Sequence, residues 1–185
     1  MAALDAELLA AARLLLRRSR GERGRLSRAR VRRSISTAYY ALFHFILDEV
    51  TLTLIGDKAA KAKRRRILAR SLTHKGLRVA LGKFKGEYVA PDVAEFVRRG
   101  VADGQVRSPQ FVRSFAKTFE DTLNKRLDAD YDLNKLLTER DAMAVIERVE
   151  TAIANWRTAD GAKDAEDKRV LGILLLLQGR LKNQD

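Results

Sequence analysis

Apolar residues recur at three- and four-residue steps in every long segment of the chain, and this period constrains the fold more than any other feature. In the segment 108–128, Phe111, Phe115 and Phe119 follow one another at four-residue steps and so share one face of a helix. The sequence has two prolines, Pro91 and Pro109, and few prolines favour long uninterrupted helices. No segment alternates convincingly at the two-residue period of a strand. We therefore predict an all-α fold.

Local signals place the helix ends. We predict helices over about 4–18, 26–50, 58–70, 77–84, 108–128, 139–156 and 164–182, with a short helix opened by Pro91. Ser108 precedes Pro109, which is the pattern of an N-cap followed by proline at the first helical position. Thr138 and Asp141 resemble a capping box, with Asp in place of the usual Glu. The stripe of the last helix is expected to comprise Val170, Ile173, Leu174, Leu177 and Leu181.

Positive charge is concentrated in the first half of the chain. The formal net charge is +13, and residues 1–85 contain 21 Lys and Arg against 6 Asp and Glu. Residues 86–185 contain 16 against 18. A block this basic attracts polyanions and speeds their encounter. The sequence therefore indicates a nucleic-acid or other polyanion partner, and the alternative is an ordinary charged surface.

Other features bear on the compartment. Cysteine is absent, which excludes disulfides, thiolate zinc sites and cysteine nucleophiles and fits a reducing environment. The first residues lack the positive charge of a signal peptide. The most apolar run, 170–177, is far shorter than the roughly 20 residues that cross a bilayer. We expect a cytoplasmic protein without a membrane partner.

Three stretches carry a family resemblance. The run from Arg33 to His44 resembles the signature helix of HEPN proteins, closest to a small stand-alone branch in which Ser-x-Ala-Tyr-Tyr-Ala-x-Phe-His recurs. Thr73-His74-Lys75-Gly76 resembles the Thr-His-x-Gly element of that branch. The run from Arg126 to Asp132 resembles its Arg-x-x-Ala-Asp-Tyr element. The signature positions are Ser36, Tyr39, Tyr40, Phe43, His44 and Asp130.

The resemblance implies a fold, an activity and partners. It implies a HEPN-like up-and-down helical bundle over residues 1–157. The last helix lies outside the resemblance, and we expect residues 158–185 to form a C-terminal helical extension that packs on the bundle or on a partner chain. It implies an RNA-directed protein that forms homodimers, and many members are metal-independent endoribonucleases of toxin–antitoxin, defence or RNA-processing systems. The alternative is a non-catalytic HEPN module that pairs with a nucleotidyltransferase, an antitoxin or another operon partner.

Candidate catalytic residues follow from the chemistry of RNA cleavage. Catalytic HEPN members have an Arg followed by about four to six residues and then a His, and neither His44 nor His74 has an Arg at that spacing. A non-standard site would use Arg126 as the cation, His74 for proton transfer and Tyr131 to position a phosphate. The alternative interpretation is structural: Arg126 and Asp130 form an i,i+4 ion pair, and the core includes Tyr39, Tyr40, Phe43 and His44.

Candidate nucleic-acid contacts lie in the basic half. They are Arg32, Arg33, Lys63, Arg64, Arg65, Arg66, Arg70 and Lys75. No aromatic residues are interleaved with Lys61–Arg70, so contact with phosphates is more consistent with the pattern than stacking on bases. We expect no metal, because Asp128, Asp130 and Asp132 lack a glycine loop at ligand spacing. We also expect no cofactor, because the sequence has no phosphate-binding glycine loop.

Overall fold

The computed structural model describes residues 3–18, 21, 23–97 and 105–177, and this part of the chain is helical. It contains eight α-helices and one 3-10 turn at Ala59–Lys61. Its one extended pairing is an isolated bridge between Tyr88 and Arg107. The all-α prediction is confirmed, and the HEPN-like bundle stays a prediction. The helices are α1 (Leu4–Leu16), α2 (Arg28–Ile55), α3 (Ala62–Ser71), α4 (His74–Gly82), α5 (Pro91–Val97), α6 (Gln110–Tyr131), α7 (Glu139–Thr158) and α8 (Ala162–Leu176).

The start of α4 differs from the prediction. The Thr73-His74-Lys75-Gly76 stretch was expected to precede a helix, and it forms the first turn of one instead. The Thr73 side chain accepts a hydrogen bond from the Gly76 amide at 3.0 Å, which satisfies one of the amide groups that lack an intrahelical acceptor. His74 is therefore the first residue of α4.

The prediction of Ser108 as the N-cap of α6 is wrong. The Ser108 amide donates to the Glu87 carbonyl at 2.9 Å, and the Pro109 carbonyl accepts from the Arg113 amide at 2.9 Å. Pro109 therefore occupies the N-cap position and α6 begins at Gln110. At its other end α6 continues past the predicted residue 128 to Tyr131.

The chain divides into two compact units. Unit 1 comprises Met1–Phe45 and Thr118–Ala154, and unit 2 comprises Ile46–Lys117 and Asn155–Asp185. Helices α2, α6 and α7 each contribute residues to both units. Residues 158–177, which the sequence assigned to an extension, belong to unit 2 together with the middle of the chain.

Unit 1 is built from α1, most of α2, most of α6 and most of α7. Its largest fully buried side chains are Ile35, Tyr39, Leu42, Phe119 and Ile146, and their removal from water stabilises the unit. A buried hydrogen bond joins its first two helices, because the Ser34 hydroxyl donates to the Ala12 carbonyl at 2.9 Å. The unit thus has a core of its own around the family signature helix.

Unit 2 is built around the packing of α4 against α8. Gly172 of α8 is buried, and a Cβ there would lie 3.2 Å from the Leu54 side chain. Val170, Leu171 and Leu174 are buried. Two predicted stripe residues, Val170 and Leu174, are thus confirmed, whereas Leu177 follows the end of α8 and is 43% exposed. Leu181 lies outside the described residues.

One helix has the length and composition of a membrane span. Among the described residues, α2 alone meets that criterion, and 56% of its apolar window is buried inside the protein. Core helices of soluble proteins meet the same criterion, so the observation is weak.

Candidate functional site

Arg126 is the centre of a polar cluster in unit 1. Its Nε lies 2.7 Å from Oδ2 of Asp130, and the two side chains are only 18% and 20% exposed. The Nε–H does not point at that oxygen in hydrogen-bond geometry, so the contact is an ion pair. The guanidinium also donates to the Tyr40 hydroxyl at 3.3 Å. The i,i+4 ion pair that the spacing predicts is present.

Three tyrosine rings surround the same guanidinium. Its Cζ lies 5.9 Å from the ring centroid of Tyr39, 5.7 Å from that of Tyr40 and 5.5 Å from that of Tyr131. Distances below about 6 Å allow a cation to be attracted by the face of an aromatic ring. Tyr131 is 69% exposed, whereas Tyr39 is fully buried. The cluster therefore reaches from the core to the surface.

The cluster joins two of the three family-like stretches. Ser36, which is buried, donates its hydroxyl to Asp130, so the signature helix and the Arg-x-x-Ala-Asp-Tyr stretch are in direct contact. Phe43 stacks on Tyr39 with centroids 6.3 Å apart. The half-buried His44 ring lies between Tyr40 and Phe43, at 6.4 and 5.6 Å. These residues have the structural role that the alternative interpretation gave them.

The electrostatics of the cluster favour fixed protonation states. Burial acts to lower the pKa of Arg126, but Tyr40, Asp130 and Tyr131 outweigh it and raise that pKa above its ordinary value. Burial raises the pKa of Tyr39 well above its ordinary value, against the opposing effect of Arg126. Arg126 thus stays a cation and Tyr39 a neutral phenol at neutral pH. Neither group is suited to exchange protons there.

Two of the three proposed catalytic residues lie in unit 1, and the third lies in unit 2. Arg126 and Tyr131 are in contact in unit 1, whereas His74 is the exposed first residue of α4 in unit 2. The structure therefore supports the Arg126–Tyr131 pair, and the three-residue site stays a prediction.

Arg32 and Arg33, both predicted to contact nucleic acid, have different surroundings. The Arg32 guanidinium donates to backbone carbonyls at and beyond the end of α6, with distances of 2.8 Å to Ala129, 2.9 Å to Asp132 and 2.7 Å to Lys135. It thereby satisfies carbonyl groups that lack intrahelical donors. Arg33 is exposed. Arg32 is therefore engaged inside the fold, and Arg33 is open to solvent.

Several other arginines of the N-terminal block are also engaged within unit 1. Arg30 donates to the Leu15 carbonyl at 2.9 Å, and Arg18 lies 3.1 Å from the Glu139 carboxylate. Arg13 pairs with Glu150 at 2.5 Å. Much of the positive charge that the sequence places before residue 34 therefore links α1 and α2 to the rest of the unit.

In unit 2, exposed cations cover α3 and the start of α4. We call them the α3–α4 basic segment, and they are Lys63, Arg64, Arg66, Arg70, Lys75 and Arg78. Arg65 is not included because it donates to the Gly56 carbonyl at 2.7 Å and the Lys58 carbonyl at 3.1 Å. Arg78 was missed by the sequence analysis. It shares a helix face with Lys75, which became evident once α4 was known to begin at His74.

The aspartates of the Arg126 region are engaged with the protein. Asp128 lies 3.1 Å from Lys135 Nζ, and Asp132 accepts from the amides of Asn134 and Lys135. Within the described ranges, no group of three or more His, Cys, Asp or Glu side chains is placed to hold a metal ion.

No protein-family model, no curated protein and no solved structure matches this chain. The resemblance to HEPN proteins therefore rests on the three stretches of sequence alone.

Proposed function

We propose that the chain is an RNA-binding protein of the HEPN type that holds the phosphate backbone through the α3–α4 basic segment. The observation that carries the proposal is the uninterrupted positive charge of this region. Between residues 58 and 86 the sequence contains eleven Lys and Arg and no Asp or Glu, and six of these cations are exposed on α3 and α4. Each cation that neutralises a phosphate releases a counterion, which supplies affinity and makes it depend on salt.

The segment is suited to phosphates rather than bases. The sequence has no Phe, Tyr or Trp between residues 46 and 83, so α3 and α4 offer none of these rings on which a base could stack. Phosphate contacts fix position and carry no sequence information. The expected ligand is thus RNA of any sequence, held mainly by charge.

A charge-matched comparison tests the proposal. One variant combines Arg66→Gln, Arg70→Gln and Lys75→Gln, and its control combines Lys117→Gln, Arg140→Gln and Arg169→Gln, which are exposed cations outside the segment. Binding of a labelled RNA is measured by fluorescence anisotropy over a range of salt concentrations. The first variant is expected to lose about two to three units from the slope of log K against log salt, and the control to lose much less.

Two results would contradict the proposal. Equal losses in the two variants would mean that only the overall charge attracts RNA. The absence of salt-dependent binding by the unaltered protein would mean that RNA is not its ligand.

A second candidate function, metal-independent RNA cleavage, is favoured by one observation. The Arg126 cation contacts Tyr131, which is 69% exposed, so a phosphate at this surface would meet both groups. RNA is incubated in EDTA with the unaltered protein and with Arg126→Met, His74→Ala and His44→Ala variants. Cleavage that is lost in the Arg126 and His74 variants but kept in the His44 variant supports the three-residue site. RNA that stays intact favours the non-catalytic module, whose nucleotidyltransferase, antitoxin or homodimer partner is then sought by co-purification and sedimentation.

A further inference from the structure

Unit 2 contains a partly open cavity whose lining includes no residue of the α3–α4 basic segment. Its volume is about 1010 Å³, and every residue that lines it belongs to unit 2. This volume is at the upper end of the range found for small-molecule sites. Apolar side chains that form its walls include Phe84, Val93, Phe111 and Val170.

A buried hydroxyl without a partner lies in this cavity. Ser108 lines it and is 7% exposed, and within the described part of the chain its Oγ has no hydrogen-bond partner. Buried polar groups are almost always paired, so such a group calls for an explanation. Leaving a buried hydroxyl unpaired costs stability that a ligand would restore.

The amino-terminal end of α6 is at the same place. Helix α6 has 22 residues and begins two positions after Ser108. Its first amide groups have no intrahelical acceptors, and Ser108 does not cap them. A helix N-terminus favours negative charge. The first amides of α6 can only donate hydrogen bonds, and the Ser108 hydroxyl can donate as well as accept, so together they fit a group that accepts.

The cavity is lined by two cations, Arg107 and Lys163, and by two carboxylates, Asp164 and the buried Asp167. The Asp164 carboxylate already accepts from the Gly161 amide at 3.2 Å, and Asp167 is also engaged with the protein. Lys163 is exposed where it lines the cavity. Its ammonium group is therefore available for an incoming anion.

We propose that this cavity binds an organic carboxylate with an apolar body, such as a medium-chain fatty acid. The apolar body would lie among Phe84, Val93, Phe111 and Val170, and the carboxylate would accept from Ser108 and the first amides of α6. This inference is independent of RNA binding, and failure of either proposal leaves the other intact.

The chain contains its own reporter for the test. Trp156 is its single tryptophan, and the indole packs edge to face on Phe111 with centroids 5.2 Å apart. Decanoate is titrated into the full-length protein and followed by tryptophan emission and by calorimetry. Decylammonium, which has the same chain and the opposite charge, serves as the control ligand. Saturable binding of decanoate, at least tenfold tighter than that of decylammonium, is expected.

Two pairs of variants locate the carboxylate. Ser108→Ala is expected to weaken decanoate binding about tenfold, as for a lost hydrogen bond to a charged group, whereas Ser71→Ala, outside the lining, leaves it unchanged. Ser108→Ala should fold normally because its hydroxyl has no partner to lose. Lys163→Glu should weaken binding and Lys117→Glu, also exposed in unit 2, should not. Equal effects within either pair, tighter binding of decylammonium, or no saturable binding would overturn the proposal.

Discussion

Arg32 and Arg33 are adjacent and chemically identical, yet the fold gives their side chains different surroundings. From composition and spacing, both side chains were predicted to contact phosphates. The carbonyls that Arg32 bonds, such as those of Ala129 and Lys135, are distant in sequence, and no local pattern announces such a contact. Residue identity therefore predicted which groups carry charge, but not which of them bond to the rest of the fold.

The first prediction compares these two neighbours. Arg32→Ala should lower the free energy of unfolding by about 2 kcal/mol, because several backbone carbonyls lose a charged donor. Arg33→Ala should change it by less than about 0.5 kcal/mol, as is usual for an exposed position. Urea denaturation followed by circular dichroism measures both. Equal stability of the two variants would contradict the role assigned to Arg32.

The second prediction concerns the hydroxyl that joins the two family-like stretches. Ser36→Ala removes a buried donor to the Asp130 carboxylate and should destabilise the protein by about 1 to 2 kcal/mol. Thr37→Ala is the control, because that half-exposed hydroxyl donates to the Arg33 carbonyl within its own helix and should matter little. Thermal unfolding measures the loss of stability in each variant. A larger loss of stability in Thr37→Ala than in Ser36→Ala would refute the contact.

Local signals predicted some helix ends and not others. The capping box at the start of α7 is present as predicted: the Thr138 amide donates to Asp141 at 2.9 Å, and the Asp141 amide donates to the Thr138 hydroxyl at 3.1 Å. The start of α6 was not predictable, because the Ser108 amide is engaged by Glu87, which belongs to a different segment. A signal within one turn therefore predicted the start of α7 correctly and failed at Ser108, where a distant segment engages the backbone.

The third prediction tests this capping box and its pH dependence. Thr138→Ala should cost about 1 kcal/mol at neutral pH, whereas Thr151→Ala, at an exposed position inside α7, should be neutral or slightly stabilising. Hydrogen bonds from the Thr138 side chain and backbone lower the pKa of Asp141 below its ordinary value of 3.8. The ionised Asp141 therefore stabilises the folded protein fully above that value, and this stabilisation is lost as the pH falls through the lowered pKa.

Unfolding curves at neutral and acidic pH check this prediction. The difference between the unaltered protein and Thr138→Ala should shrink in acid, while that for Thr151→Ala should stay constant. If Thr138→Ala lowers the free energy of unfolding by the same amount at both pH values, the charge of Asp141 does not contribute to the capping box.

At the scale of the whole molecule, the charge asymmetry read from the sequence overstates the free positive surface. Part of the N-terminal block is engaged inside unit 1, and the exposed cations of the α3–α4 basic segment belong to unit 2. Counting charges predicted a polyanion ligand, but only the folded chain distinguishes the arginines that bond carbonyls from those that face solvent.

The fourth prediction follows from that segment. Because the charges dominate and residues 46–83 contain no Phe, Tyr or Trp, homopolymers of different bases should bind with affinities within a few fold of one another. Competition between labelled and unlabelled homopolymers measures this. A preference of a hundredfold for one base would require a base-reading surface that the basic segment does not provide.

Helices α2, α6 and α7 each supply residues to both compact units, and this has a consequence for the history of such a protein. Neither unit corresponds to one continuous stretch of gene, because each is assembled from two separated stretches. Any fragment that holds one complete unit, such as residues 1–154 or 46–185, therefore also carries part of the other unit. The chain is expected to be inherited whole, and its two units to diverge together rather than be exchanged as modules.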